Sequence, residues 1–432
     1  MEKKLVVRVD AIKENVRGQV PTAVLRTRAI MAVVGSAGAI FWPGALIFGY
    51  TGVMGPFWQQ LFHVGKGAIG NCQFFNLISL GIFMFLAGKW QEKIGTRAMI
   101  TIGVIICSLA LVVATFATSL NMIYLWAFLT GTSSCFIYTP CLTTVQRWWP
   151  ERRGLVSGIV NFIFGISAAI MSPFFSGMLK TMGYQSMNML VAVLVLIVGI
   201  VSAQFTEVPE RVKFNAADNK PMPSAAIVPQ LKQNVSLTVE QAMRTRSFWF
   251  LWLVWAFQGA AGVVMVTLSV DFGLSSGFSM DEAVFVLIAY NLMSGLSRIS
   301  TGYVSDIAGR NITMSITFFA AGAAYFFLAG VQNLIAIAIS VAVIGFSFGT
   351  LFAVSAPLVS DCFGLKHFGA IYGLIFTSYG FFSGVLGPSL SGYLIDMNKG
   401  NFTPIFIYLG VFCLLSGVLI RFAVPPVQIQ KC

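Results

Sequence analysis

Twelve apolar runs pace this chain, near residues 29–58, 67–88, 98–119, 122–146, 155–180, 186–205, 247–273, 281–303, 311–330, 333–358, 367–395 and 403–423. Most reach the roughly 20 residues that an α-helix needs to cross the hydrocarbon core of a bilayer. In lipid every backbone N–H and C=O must be satisfied within the protein, so runs of this length read as helices. Composition excludes a soluble fold, since 57% of residues are apolar and 10% charged, against about 25% charged in soluble domains. The 42 Gly residues suit close packing of helix against helix inside a membrane. The lipid bilayer is thus the first expected partner, and the expected fold class is all-α, with twelve transmembrane helices.

The net charge of +12 invites a nucleic-acid partner, and its distribution argues against one. With the N-terminus in the cytoplasm, 23 of the 27 Lys and Arg fall on the cytoplasmic side of the predicted spans. Only Lys66, Lys180 and Lys399 fall opposite, and Arg298 lies within a span. That bias is the positive-inside rule, so both termini are expected in the cytoplasm and the protein in the plasma (cell inner) membrane. No cleaved signal peptide is expected, because the first long apolar run exceeds a signal core. The seven Cys form no Cys-x-x-Cys pair, so neither a metal site nor a disulfide framework is expected.

The longest connection, 206–246, carries six basic residues and four Pro, and reads as a partly disordered cytoplasmic linker. It separates an N-terminal bundle at 29–205 from a C-terminal bundle at 247–424, flanked by an arm at 1–28 and a tail at 425–432. The halves echo each other. Gly88, Glu92 and Gly95 in GKWQEKIGTR match Gly302, Asp306 and Gly309 in GYVSDIAGR at a constant offset of 214. Gly154, Gly158, Gly165, Pro173 and Gly177 match Gly369, Gly373, Gly380, Pro388 and Gly392 at an offset of 215. Parallel six-helix repeats belong to a transporter architecture whose substrate site lies between the halves near mid-membrane.

The two GxxxD/E loops resemble the loop signature of the major facilitator superfamily, and the resemblance extends over essentially the whole chain. It implies two pseudo-symmetric six-helix bundles and an alternating-access carrier. In that family the acidic and basic residues of these loops pair at the cytoplasmic helix ends and hold the outward-open state. Carried over, Glu92 and Asp306 are gate acids, with Arg97 and Arg310 their basic neighbours; loop charges that only fix orientation are the plainer alternative. Three further segments narrow the likeness: Leu237–Trp252, Arg147–Gly154 (RWWPERRG) and Asp361–Gly373. Together they resemble the oxalate–formate antiporter and monocarboxylate transporter group.

Arg298, in NLMSGLSR on the eighth span, is the residue that most asks for an explanation. A cation deep in a span costs about 2.5–3.5 kcal/mol even on insertion scales, so it faces a wet cavity or meets a partner. Its planar fork offers two parallel hydrogen bonds to a carboxylate. The antiporter group carries an Arg at the matching place that binds substrate carboxylate. Backbone carbonyls are the competing partner. Asp306 is a poor one, eight residues on and about 12 Å along a helix. Tyr50, Tyr138 and Tyr379 fall near the middle of spans one, four and eleven, where a hydroxyl can serve a carboxylate or a ring can simply pack. The group has an aromatic where Tyr138 stands. Ser294 lies one turn before Arg298 on the same face and extends the polar patch.

The sequence also departs from these relatives. Tyr379 stands where the oxalate carrier has a second cation, so one carboxylate, and not oxalate, is expected. Animal proton-coupled carriers place an Asp one turn before the Arg and a Lys on the first helix; here Ser294 stands in the former position and the first span has no Lys. Protons therefore stay open as co-substrate, and antiport and symport remain alternatives. A membrane enzyme would need clustered His, Asp or Cys, which two His near loops do not supply. No cofactor is expected. The chain is read as a monomeric secondary transporter of a small organic anion such as lactate or formate. The runner-up is an exporter of drugs or other organic solutes, and a transporter-like sensor comes third.

Overall fold

The computed structural model describes residues 22–149, 153–209, 237–364 and 367–425, and among them every regular element is helical. Helix α1 runs through Thr22–Gly44, a π-helical stretch Ala45–Tyr50 and Thr51–Phe62. Then follow α2 (Lys66–Ile94), α3 (Thr96–Thr115) and α4 (Leu120–Trp148). The continuous stretch Arg153–Gln204 holds two spans, α5 and α6, divided at Gly183, whose φ of 77° breaks the helix. The second half comprises α7 (Arg246–Ser275), α8 (Met280–Ala308), α9 (Arg310–Leu328) and α10 (Leu334–Phe363). It ends with α11 (Phe368–Ser378, continuing through π-helical turns at Tyr379–Ser383 and Val385–Ser389 into Leu390–Met397) and α12 (Thr403–Leu419).

The twelve expected spans are all present, with shifted edges. Helix α1 begins at Thr22, seven residues earlier than its apolar run, because Arg26 and Arg28 can ride on an exposed helix end. Helix starts follow local capping chemistry. Ser279 accepts from the Glu282 N–H while Glu282 accepts from the Ser279 N–H, and Thr238 and Gln241 do the same before a one-turn helix at Val239–Met243. The expected linker 206–246 lies mostly outside the described residues, but its ends are anchored. The Trp148 indole donates to the Glu207 carbonyl at 2.6 Å, and the Leu237 N–H donates to Phe363 O at 3.0 Å. The expected arm and tail are described only at residues 22–28 and 425.

Gly95 and Gly309 show the repeat in backbone terms. Both sit in one-residue turns, α2 to α3 and α8 to α9, at φ 96° and 90°. Residues with a Cβ pay about 1–2 kcal/mol in left-handed conformations, so each turn calls for Gly. The face bearing these turns is called here the signature face.

The halves meet along two helix crossings related by the same repeat. A Cβ placed on Gly165 of α5 would stand 3.0 Å from Gly295 Cα of α8, and one on Gly81 of α2 would stand 3.3 Å from Gly380 Cα of α11. Two turns toward the signature face the crossings have opened: Gly158 and Gly302 have nothing within 4 Å, and Gly373 touches only Phe85 Cβ at 4.0 Å. On the opposite face the halves are joined. Gln59 Nε2 of α1 donates to both Asp271 oxygens of α7 at 2.9 and 2.8 Å. Asp396 of α11 caps α2 by accepting from the Lys66 and Gly67 N–H groups at 3.0 and 2.9 Å, and Lys180 of α5 pairs with Asp281 of α8. This conformation is closed on the opposite face and spreads toward the signature face.

Candidate functional site

The eighth helix presents Arg298 one turn beyond Gly295, on the side where the α5–α8 crossing starts to open. The residue is 2% exposed. Its Nη1 donates across the interface between the halves to the Asn161 carbonyl of α5 at 2.9 Å. Its Nε and Nη2 are buried with no hydrogen-bond partner. Aromatic rings from both halves flank the guanidinium, with Cζ 5.5 Å from the Phe164 centroid and 4.9 Å from that of Phe352. Rings at this distance attract a cation and exclude water without neutralising it.

Tyr138 of α4 joins this centre. Its hydroxyl donates to Asn161 Oδ1 at 2.7 Å, so Asn161 ties Tyr138 and Arg298 together through two different oxygens. Tyr379 of α11 is 1% exposed, and its hydroxyl has no partner. Its ring packs among Trp255, Phe352 and Phe376, with centroids at 5.4, 5.6 and 5.3 Å. The Tyr138, Tyr290, Tyr372 and Tyr379 phenols all lie within electrostatic reach of Arg298. Tyr290 is engaged elsewhere, donating to Gly262 O at 2.7 Å, and Tyr372 lies 3.3 Å, oxygen to oxygen, from the Ser355 hydroxyl.

Tyr50 stands apart from this cluster. The Tyr50 hydroxyl donates to Asn188 Oδ1 at 2.7 Å within the first half, among the rings of Trp58, Trp126 and Phe175. Ser294 is buried one turn before Arg298, and its carbonyl lies against Gly349 of α10.

The signature-face residues fall at the expected turns. Gly88 and Glu92 lie in the last turns of α2, and the Glu92 side chain is outside the described residues; Gly302 and Asp306 close α8. Arg97 pairs with Glu207 at 3.0 Å, an acid 110 residues distant that the loop pattern did not single out. Arg310 pairs with Asp306 at 3.4 Å and with Asp361 of α10. Each of these pairs stays within one half.

Asn161, Phe164 and Phe352 are the members that sequence reasoning missed. Asn161 left a signal, an amide inside an apolar run four residues before a repeat glycine. The two Phe residues left none among 39.

The sequence profile of the Major Facilitator Superfamily matches residues 37–380 and 252–431. The chain is 24% identical over 344 residues to the oxalate:formate antiporter of Oxalobacter formigenes, covering 78% of each chain. It is 26% identical over 396 residues to monocarboxylate transporter 13 of Rattus norvegicus, covering 88% of this chain and 86% of that one. Monocarboxylate transporter 11 of Mus musculus is 26% identical over 369 residues, covering 79% and 74%. These relatives are carriers and not enzymes, and with the profile spanning nearly the whole chain, this protein belongs to the major facilitator superfamily of membrane transporters.

Proposed function

We propose that the protein carries a small organic monocarboxylate by alternating access, with Arg298 as the anchor for the anion. The observation that carries this reading is the free edge of the guanidinium. Nε and Nη2 form one side of the planar group and point two parallel donors the same way. Nη1 is already committed to the Asn161 carbonyl, while that edge is buried and unpartnered. A buried charged donor left without an acceptor is costly, and a carboxylate would meet both at once. The unpartnered Tyr379 hydroxyl offers a further donor, and Tyr138 holds the scaffold through Asn161. The oxalate:formate and monocarboxylate names of the relatives point to the same substrate class.

One fixed cation fits one carboxylate, so lactate or formate suits the site better than oxalate. The guanidinium also gives a reason for obligate coupling. Alone, it resists passage through an apolar interface; neutralised by its anion, it passes. Exchange of one anion for another follows directly, and proton symport follows if a proton accompanies the anion. The positive-inside bias puts the signature face in the cytoplasm of a plasma-membrane protein, so the conformation described here would open inward.

Counterflow of labelled lactate or formate in proteoliposomes tests the reading. Arg298→Ala should lower kcat/KM for the anion by about a hundredfold or more, and Arg298→Lys, a point donor without the fork, should not restore it. Anion transport that survives Arg298→Ala would remove the proposal. Export of a neutral drug that survives it while no anion is carried would favour the exporter.

A further inference from the structure

Two crossings join the halves, and they are unequal. Repeat symmetry relates Gly165 to Gly380 and Gly295 to Gly81, so the α5–α8 and α2–α11 contacts are copies. Only one copy carries a cation, because the position matching Arg298 in the first half is Met84. Beside that cation, a Cβ on Gly165 would stand 3.2 Å from Arg298 Nε and 3.3 Å from Cζ. The Cβ would therefore press on the face of the guanidinium, over its Nε–Cζ bond.

A second consequence comes from helix geometry. A helical side chain leans toward the N-terminus and covers the turn before its own Cα. Residue 165 lies one turn after Asn161, so a side chain there would lean over the carbonyl that accepts from Arg298 Nη1. The missing side chain does two things at once: it bares an α5 carbonyl to a donor from the other half, and it leaves room for the face of the guanidinium over Nε and Cζ.

We infer that Gly165 is a positioning residue for substrate recognition, aiming Arg298 from the opposite half of the molecule. The inference rests on the reading that Arg298 receives the carboxylate. Asn161 holds one corner of the guanidinium, Gly165 lets its face lie against α5, and Tyr138 steadies Asn161 through its amide oxygen at 2.7 Å. Specificity for an anion thus depends on a residue with no side chain, in the bundle that does not carry the charge.

The matched control is Gly81. A Cβ there meets Gly380 Cα and Phe381 Cε2, both at 3.3 Å, a similar tightness with no cation beside it. The full-length protein would be assayed in proteoliposomes with labelled lactate and formate. Gly165→Ala should raise KM about tenfold while kcat changes by less than about threefold, and Gly81→Ala should leave KM within about twofold. Equal KM shifts in the two variants would reduce Gly165 to a packing residue and overturn the inference.

Thermal unfolding of the purified protein supplies the second arm and covers the case in which Gly165→Ala does not fold. Ala has no atoms matching Nε and Cζ of the guanidinium. Adding Gly165→Ala should therefore lower the unfolding midpoint more in the Arg298 protein than in Arg298→Ala, and a Gly165→Ala protein that fails to fold should be rescued by Arg298→Ala. The same drop in both backgrounds, or failure in both, overturns the inference. Arg298→Ala discriminates one level down: uptake that it leaves untouched removes the carboxylate reading itself, whereas abolished uptake with a silent Gly165→Ala removes only the role of the glycine.

Discussion

Arg298 is held by one nitrogen and bare at two, and its neighbours differ in what they should contribute. Tyr138 acts through Asn161, so Tyr138→Phe removes one buried hydrogen bond of about 0.5–1.5 kcal/mol and should raise KM by no more than about tenfold. Counterflow kinetics check this, and an unchanged KM would make Tyr138 a packing residue. Tyr379 is a different case, because its buried hydroxyl has no protein partner to lose. Tyr379→Phe should keep or raise the thermal midpoint while raising KM for lactate. A drop in stability with unaltered KM would remove Tyr379 from the site. Arg298 was legible in the sequence because charge inside an apolar run is costly and rare. Its partner was not, since a backbone carbonyl carries no residue identity.

At the scale of the element, the one-residue turns are the most local feature of the fold. Gly309 at φ 90° has only Ile312 Cδ1 near a prospective Cβ, at 3.9 Å. Gly309→Ala is therefore a test of backbone conformation with little steric contribution. It should cost about 1–2 kcal/mol, read as a lowered unfolding midpoint in detergent; no change would mean that the turn relaxes freely. The spans themselves were legible because hydrocarbon demands length and apolarity from each run separately. Their edges were less so. The α5–α6 turn shrinks to Gly183, and the π-helical turns in α1 and α11 depend on how Pro43, Pro388 and close-packed glycines sit against neighbouring helices.

Across the whole molecule, the opposite face is fastened by Gln59–Asp271, by the Asp396 cap on α2 and by Lys180–Asp281. Asp271 is 5% exposed and accepts two hydrogen bonds from one amide. Gln59→Leu removes that donor and leaves the carboxylate poorly satisfied, which favours separation of α1 from α7. Hydrogen exchange over residues 52–59 and 266–271 should then rise severalfold. Exchange identical to the unsubstituted protein would mean that the other two fastenings suffice. The pairs on the signature face have no such bridging role in this conformation: Arg97–Glu207 and Arg310–Asp361 each brace one half. Glu207 shows why the loop pattern alone could not predict its partner, for it reaches Arg97 only after four spans have folded back between them.

The amino-acid sequence by itself determined the membrane class, the twelve spans, the duplication and the one costly cation, because each follows from a local rule: hydrocarbon thickness, charge asymmetry, repeated glycines and the penalty on buried charge. Only the tertiary structure decided which guanidinium edge is bare, that Asn161 serves both Tyr138 and Arg298, that the Tyr50 hydroxyl is bonded to Asn188 within the first half, and which face is closed. Those facts depend on contacts between different helices, most of them more than a hundred positions apart in the chain, or on main-chain atoms common to every residue. Their identity therefore emerges only when the helices are set against one another.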